Sequence, residues 1–146
     1  KAAYRSPHHA FDRKGKATGQ LVGGNLALVA HLCGTDSAYK TQGRILFLED
    51  VGEYLYNLDR MMYQLKRCGM LDGLAGLIYG GFTELKDTAQ PFGQDIWSML
   101  HDIVAEYDYP VCFDFPVSHG RRNHALKVGG TYTLEVGARG TGLSER

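Results

Sequence analysis

The chain has 146 residues, enough for one ordinary domain with its own core. Its composition, 44% hydrophobic and 22% charged, is typical of a globular protein, and 16 basic residues balance 16 acidic ones. Nucleic-acid binding and anionic-membrane binding both need a surplus of positive charge, so we expect no nucleic acid and no membrane as partners. No apolar run approaches the roughly 20 residues that span a bilayer.

The first 18 residues differ in composition from the rest of the chain. Residues 1–18 are polar, contain few apolar residues and show no period, which predicts a linker or an arm. They also lack the apolar segment of a signal peptide. We therefore assign the domain itself to residues 19–146.

The cysteines indicate the compartment. Cys33, Cys68 and Cys112 are odd in number and widely spaced, which argues against a disulfide framework or a cysteine-rich zinc site. A reducing compartment such as the cytoplasm fits this pattern. Their apolar neighbours predict small core residues, and a catalytic cysteine is the alternative.

Apolar periodicities alternate with turn signals along the rest of the chain. They predict, in order, a short strand at 21–22, a helix at 26–32 capped by Asn25, a strand at 45–48, a helix at 54–68, a strand at 74–79, a helix at 96–107, a strand at 110–115, and a hairpin of 125–128 with 131–136. Strands separated by helices are typical of an α/β fold with a mostly parallel sheet flanked by helices.

An acidic pair follows the buried strand at 45–48. Active sites of such sheets form at the carboxyl ends of the strands, where Glu49 and Asp50 stand. A carboxylate beside buried strands is costly to desolvate unless it is paired, and a histidine is a suitable partner. The alternatives for Glu49 are capping of the next helix and an ion pair with Arg60.

His119 lies in a glycine-containing loop after the strand at 110–115. A histidine in this position can act as a general base, and the alternative is an ordinary surface histidine. The spacing of the other histidines is not that of a metal site. We therefore predict neither a metal nor a cofactor.

A nucleophile for such a pair is not evident. No G-x-S-x-G elbow occurs. Ser118 adjoins His119, and neighbours on an extended chain point apart, while Ser98 lies within a helix. Ser37, in a loop, stays a candidate. The turn at 23–25 resembles an anion site but lacks a Walker lysine, so we favour a tight turn into a helix.

Several stretches carry a resemblance to a known family. They are GQLVGGNL (19–26), GRILFLEDVGE (43–53), DRMMYQL (59–65), GLIYGGF (76–82) and FPVSHG (115–120). Together they resemble the L,D-carboxypeptidase family, serine peptidases that include the muramoyltetrapeptide carboxypeptidases and the microcin C immunity proteins. The resemblance covers nearly the whole chain beyond about residue 17.

The resemblance implies a fold and a site. The fold is that of the family's carboxy-terminal domain, a swivelling-type β/α unit. Glu49 matches the glutamate and His119 the histidine of the family's Ser-Glu-His triad. The nucleophilic serine of the family lies in an amino-terminal domain that nothing here matches, so residues 1–18 would lead from that missing domain.

The resemblance also implies an activity. The family's hydrolases release terminal D-alanine from a muropeptide, an L,D-tetrapeptide, during peptidoglycan recycling in the cytoplasm, and this chain alone would be inactive. A microcin C-type immunity peptidase and a non-catalytic binding module of the same fold are the alternatives. A homodimer is left open.

Overall fold

The computed structural model describes all 146 residues. Its elements are β1 (Ala3–Ser6), β2 (Gly15–Asn25), α1 (Leu26–Leu32), β3 (Ile45–Val51), α2 (Leu55–Arg67), β4 (Gly76–Thr83), α3 (Ile96–Val104), β5 (Val111–Cys112), β6 (Thr131–Gly137) and β7 (Gly140–Glu145). The predicted α/β class is confirmed.

The seven strands form one mixed sheet in the order β1-β7-β6-β2-β3-β4-β5. The strands β2, β3, β4 and β5 pair in parallel, whereas β1, β7, β6 and the first part of β2 pair antiparallel. The strand β2 joins the two halves, because residues 15–20 pair with β6 and residues 21–25 pair with β3.

Each face of the parallel strands is buried by a different layer. Leu46 and Leu48 face a core that includes the buried side chains of all three helices. Ile45 and Phe47 face the other core, which the antiparallel strands supply with residues such as Tyr132. Burial on both faces explains why β3 is apolar without alternation.

The helices follow the local signals in the sequence. The side chain of Asn25 accepts a hydrogen bond from the backbone N–H of Leu28 at 3.2 Å, as expected of an N-cap. The apolar stripe of α2 is buried at Leu58, Met61, Met62 and Leu65. Tyr54, just before the helix, is exposed and is not part of this buried stripe.

Residues 3–6 and 15–18 belong to strands of the sheet, which corrects the prediction of a linker or an arm over residues 1–18. The strand β1 pairs with β7 along residues 3–6, and β2 begins at Gly15 against β6. Between these strands, Arg13 donates from Nε to the carbonyl oxygen of Tyr109 at 2.7 Å. Backbone pairing holds the segment, so few apolar side chains are needed. That a further domain precedes the segment stays a prediction.

The predicted hairpin is also corrected. Residues 125–128 form no strand, and β6 instead turns directly into β7 after Gly137. The reason is that both edges of β6 are already occupied, one by β2 and the other by β7. The strand predicted at 110–115 shortens to Val111–Cys112, because Asp114 has a positive φ of 54°, which interrupts the extended backbone.

The cysteines differ in exposure from the prediction. Cys112 is fully buried, as expected of a small core residue. Cys33 is only half-buried and Cys68 is exposed. The apolar neighbours in sequence misled the interpretation, because both residues stand where a helix ends.

Candidate active site

Glu49 projects from the carboxyl end of β3. Side chains alternate along a strand, so Glu49 lies on the same face as Ile45 and Phe47, the face that the antiparallel strands cover. The side chain is only 10% exposed. A carboxylate this deeply placed requires a hydrogen-bonding or charged partner.

The pairing of β3 with β4 is irregular opposite Glu49. The register shifts between Leu48 and Asp50, so that Gly80 and Gly81 of β4 occupy the space beside a single residue of β3. Such a bulge re-aims the backbone at the end of a strand and is often found next to active sites.

Gly80 and Gly81 let another segment approach this edge. A Cβ atom on Gly80 would overlap the carbonyl oxygen of Val117 and lie 3.1 Å from Cβ of Glu49. A Cβ atom on Gly81 would lie 2.5 Å from Cβ of Ser118. Only glycine permits so close an approach, and the N–H of Gly81 donates to the Val117 carbonyl at 2.9 Å.

The segment that approaches carries His119 in a loop. The chain first follows β4, where the N–H of Phe115 donates to the carbonyl of Tyr79 at 3.0 Å. It then leaves the sheet, and the base of the loop is closed where the N–H of His124 donates to the carbonyl of Pro116 at 2.7 Å. The loop is therefore anchored on both sides of His119.

Two side chains brace the loop from within. The N–H of Ser118 donates to Oδ1 of Asn123 at 3.2 Å, and the N–H of Gly120 donates to Oγ of Ser118 at 2.9 Å. The Ser118 hydroxyl thus supports the backbone around His119, and it is not hydrogen-bonded to the imidazole.

The two predicted site residues meet. Nδ1 of His119 lies 2.7 Å from Oε2 of Glu49, although 70 positions separate them in the sequence. Because a carboxylate only accepts, Nδ1 is the donor, which leaves the lone pair of the neutral ring on Nε2. The imidazole is 53% exposed. The pair can take up a proton at Nε2 and stabilise the imidazolium by the charge of Glu49.

Asp50 has a different role from its neighbour. It lies on the opposite, helical face and is 2% exposed. Its carboxylate accepts from Nδ2 of Asn25 at 2.9 Å, from the N–H of Ala27 at 3.1 Å and from the N–H of Val51 at 2.8 Å. It thereby fastens the start of α1 to the end of β3.

The structural alternatives for Glu49 are not found. The N-cap of α2 is Tyr54, and no side chain caps that helix. The guanidinium of Arg60 instead lies over the ring of Tyr56, 5.5 Å from its centroid.

The other serines considered in the sequence also lie apart from the pair. Oγ of Ser98 donates to Oδ2 of Asp95 at 3.2 Å within α3. Ser37 is exposed in the loop between α1 and β3, where its N–H donates to Oγ1 of Thr35. No serine hydroxyl is hydrogen-bonded to His119.

No group of three or more His, Cys, Asp or Glu side chains is arranged to hold a metal ion. None of the three helices has the length and apolarity needed to cross a membrane.

Sequence reasoning missed the two glycines of the site. The strand predicted at 74–79 stops before Gly80 and Gly81 and gives them no role in the site, although a glycine pair in a strand is a known signal for a bulge or a close backbone approach. The segment that approaches these glycines begins at Val117, about 36 residues further along the chain. No local signal in the sequence reveals this contact.

The chain belongs to the LD-carboxypeptidase family, because a sequence profile described as the LD-carboxypeptidase C-terminal domain matches residues 18–134. This family consists of carboxypeptidases, which are hydrolases. The resemblance inferred from the motifs is confirmed.

Two curated relatives are similar over most of the chain. A putative carboxypeptidase from Synechocystis sp. is 37% identical over 126 residues, which cover 84% of this chain and 41% of the relative. The murein tetrapeptide carboxypeptidase of Pseudomonas aeruginosa is 31% identical over 128 residues, which cover 87% of this chain and 41% of the relative. The chain therefore spans less than half the length of these relatives.

Solved structures share the fold. The crystal structure of muramoyltetrapeptide carboxypeptidase from Oxalobacter formigenes matches with a TM-score of 0.89 at 30% identity, covering 99% of this chain and 49% of that one. The microcin C7 self-immunity protein matches with a TM-score of 0.78 at 21% identity, covering 99% and 41%. At this lower identity the similarity shows the fold alone.

Proposed function

We propose that this chain is the part of a muramoyltetrapeptide carboxypeptidase that supplies the glutamate and the histidine of a Ser-Glu-His triad. One observation carries the proposal, the 2.7 Å contact between Nδ1 of His119 and Oε2 of Glu49 at the carboxyl edge of the parallel strands. Membership of a carboxypeptidase family supplies the class of reaction.

The proposed chemistry follows from the orientation of the ring. His119 takes the proton of the serine hydroxyl at Nε2 while the oxygen attacks the scissile carbonyl, and it returns that proton to the departing amine of D-alanine. Water then releases the acyl group by the same proton transfers. Glu49 keeps Nε2 unprotonated before the attack and stabilises the imidazolium that forms.

We propose that the serine lies outside these 146 residues, in an amino-terminal domain. Two findings support this, the lack of a serine hydroxyl bonded to His119 and the span of the chain, which is less than half of its relatives. The chain alone should then release no D-alanine from a tetrapeptide.

We further propose muropeptides as the substrates and peptidoglycan recycling in the cytoplasm as the setting. The similarity to a murein tetrapeptide carboxypeptidase supports the substrate class. The three free cysteines are consistent with a reducing compartment.

The test uses the natural polypeptide that carries this sequence. Glu49→Gln keeps the size of the side chain and a hydrogen-bonding oxygen but removes the charge, and we expect D-alanine release to fall by roughly 10³–10⁴-fold. His119→Ala should fall at least as far. Glu53→Gln and His31→Ala are matched controls, because the Glu53 carboxylate accepts from Asn57, the His31 side chain is exposed on α1, and neither is hydrogen-bonded to the pair. Unchanged turnover in Glu49→Gln, with the fold intact by circular dichroism, would remove Glu49 from the triad.

The same assay separates the alternatives. Cleavage of an acyl-sulfamoyl adenylate without release of D-alanine would identify a microcin C-type immunity peptidase. Binding of a tetrapeptide without cleavage of either compound would identify a non-catalytic module.

A further inference from the structure

Two cysteines meet at the ends of two helices. Cys33 is the C-cap residue that follows α1, and Cys68 is the C-cap residue that follows α2. Their Sγ atoms are 3.0 Å apart, and Sδ of Met70 lies 3.4 Å from Sγ of Cys33. The helix α2 starts beside the edge that carries Glu49 and spans 13 residues, so the cysteines lie about 20 Å along that helix from its start.

The cysteine pair is open to small molecules. A solvent-connected cavity of about 500 Å³ reaches it, lined by Cys33, Gly34, Arg60, Tyr63, Gln64, Arg67 and Cys68. Cys68 is exposed and Cys33 is half-buried. Neither lining arginine is engaged in an ion pair with an acidic side chain. The cavity therefore suits a small anionic reagent.

We propose that Cys33 and Cys68 form a dithiol site that a small anionic disulfide, of the class of oxidised glutathione, converts to an intramolecular disulfide. A disulfide bond is about 2.05 Å long, so the two sulfur atoms must close by only about 1 Å. Both residues stand at helix ends, where the backbone yields more readily than inside a helix.

The two cysteines react in a defined order. The Cys68 sulfur, which is exposed, attacks one sulfur of the oxidant as a thiolate, forming a mixed disulfide and releasing one glutathione. The Cys33 thiol then loses its proton to solvent, and its sulfur attacks the Cys68 sulfur and releases the second glutathione. Two protein thiols are oxidised to one disulfide, and one glutathione disulfide is reduced to two thiols.

The environment of Cys33 supports this order. Burial raises the pKa of the Cys33 thiol to about 12, helped by hydrogen bonding of that thiol to the Cys68 sulfur and by the negative charge that Cys68 carries as a thiolate. Cys33 therefore stays protonated while the dithiol is reduced. Formation of the mixed disulfide removes the negative charge of the Cys68 thiolate, which is one of the causes that hold the proton on Cys33.

The experiment maps the disulfide in the natural polypeptide. The reduced protein is incubated with oxidised glutathione, its remaining thiols are alkylated, and it is digested with trypsin. We expect a cross-linked species that joins peptide 17–40 to peptide 68–86 with the loss of two hydrogen atoms, and dithiothreitol should reverse it. Two of the three thiols of this segment should disappear in a thiol titration.

Three cysteine variants define the site. Cys33→Ser should accumulate the glutathione adduct on Cys68, and Cys68→Ser should yield neither adduct nor cross-link. Cys112→Ser is the matched control, because that thiol is buried and distant in sequence from both, and it should cross-link like the unmodified protein. If a variant fails to fold, the peptide map of the unmodified protein still decides.

Three results would overturn the proposal. One is full alkylation of both peptides after incubation with excess oxidised glutathione. Another is a glutathione adduct that persists on Cys68 of the unmodified protein. The third is a cross-link between two copies of the chain on a non-reducing gel.

Discussion

Adjacent acidic residues in one strand have separate tasks here, because a strand sends neighbouring side chains to opposite faces. Glu49 points to the face where the His119 loop approaches, and Asp50 points to the helices and binds the start of α1. One residue is therefore available for chemistry and the other holds the scaffold of the same edge. A shift of β3 by one position would exchange them.

The absence of a side chain at Gly80 is equally important for the pair. We expect Gly80→Ala to lower the free energy of unfolding by about 1–3 kcal/mol, because the added Cβ must displace the backbone at Val117. The displacement also moves His119 away from Glu49, so turnover should fall with stability. Urea denaturation and D-alanine release measure the two effects.

A glycine elsewhere in the sheet serves as the control for Gly80→Ala. Gly142 of β7 has no atom within 4 Å of the position that a Cβ would take. Gly142→Ala should therefore change both quantities little. Equal effects of the two substitutions would mean that the tight packing at Gly80 is unimportant.

At the scale of single elements, the cap of α3 couples stability to pH. The carboxylate of Asp95 accepts a hydrogen bond from the backbone N–H of Ser98 at 2.9 Å. This bond to the backbone lowers the pKa of Asp95 below its usual value. A carboxyl whose pKa is lower in the folded state stabilises the protein above its unfolded-state pKa and loses that contribution as the pH falls through the folded pKa.

We expect Asp95→Ala to lower the free energy of unfolding by about 1 kcal/mol at neutral pH. The difference from the unmodified protein should shrink as the pH falls below about 4, the usual aspartate pKa, and through the lower pKa of the folded state. Denaturation curves recorded across this range give the comparison. Asp36→Ala, which removes an exposed aspartate outside the helices, is the control. A difference that persists at low pH would contradict the capping account.

At the scale of the whole molecule, stability depends on contact between the two halves of the mixed sheet. Leu134 of β6 is fully buried in the core on the second face of β3 and β4. A Cβ atom on Gly76 of β4 would lie 2.8 Å from Cδ2 of Leu134. The parallel and antiparallel halves therefore fit together at this point without spare room.

This fit predicts a coupling that a double-mutant cycle can measure. Leu134→Ala should lower the free energy of unfolding by about 2–5 kcal/mol by leaving a cavity, and Gly76→Ala by about 1–3 kcal/mol by overpacking. The double variant should lose less than the sum, because the new methyl group occupies space that the leucine vacates. Gly76→Ala with Leu143→Ala is the control pair and should be additive. Additivity in the first pair would refute the contact.

Local signals in the sequence were sufficient to predict the helices and the buried strand β3. The cap at Asn25, the stripe of α2 and the apolar run at 45–48 each depend on residues within a few positions of one another. Sequence motifs that resemble the family identified Glu49 and His119. The alternation of side chains along β3 also predicts that Glu49 and Asp50 point to opposite faces of the sheet.

Only the tertiary structure decided which distant segments meet. Residues 3–6 form a strand because one edge of β7 is free to pair with them. Residues 125–128 form no strand, because both edges of β6 are already paired. The contact of His119 with Glu49 and that of Cys68 with Cys33 join positions 70 and 35 residues apart. Such contacts depend on the packing of the whole sheet and its helices, which a periodicity or a cap, acting over a few residues, does not encode.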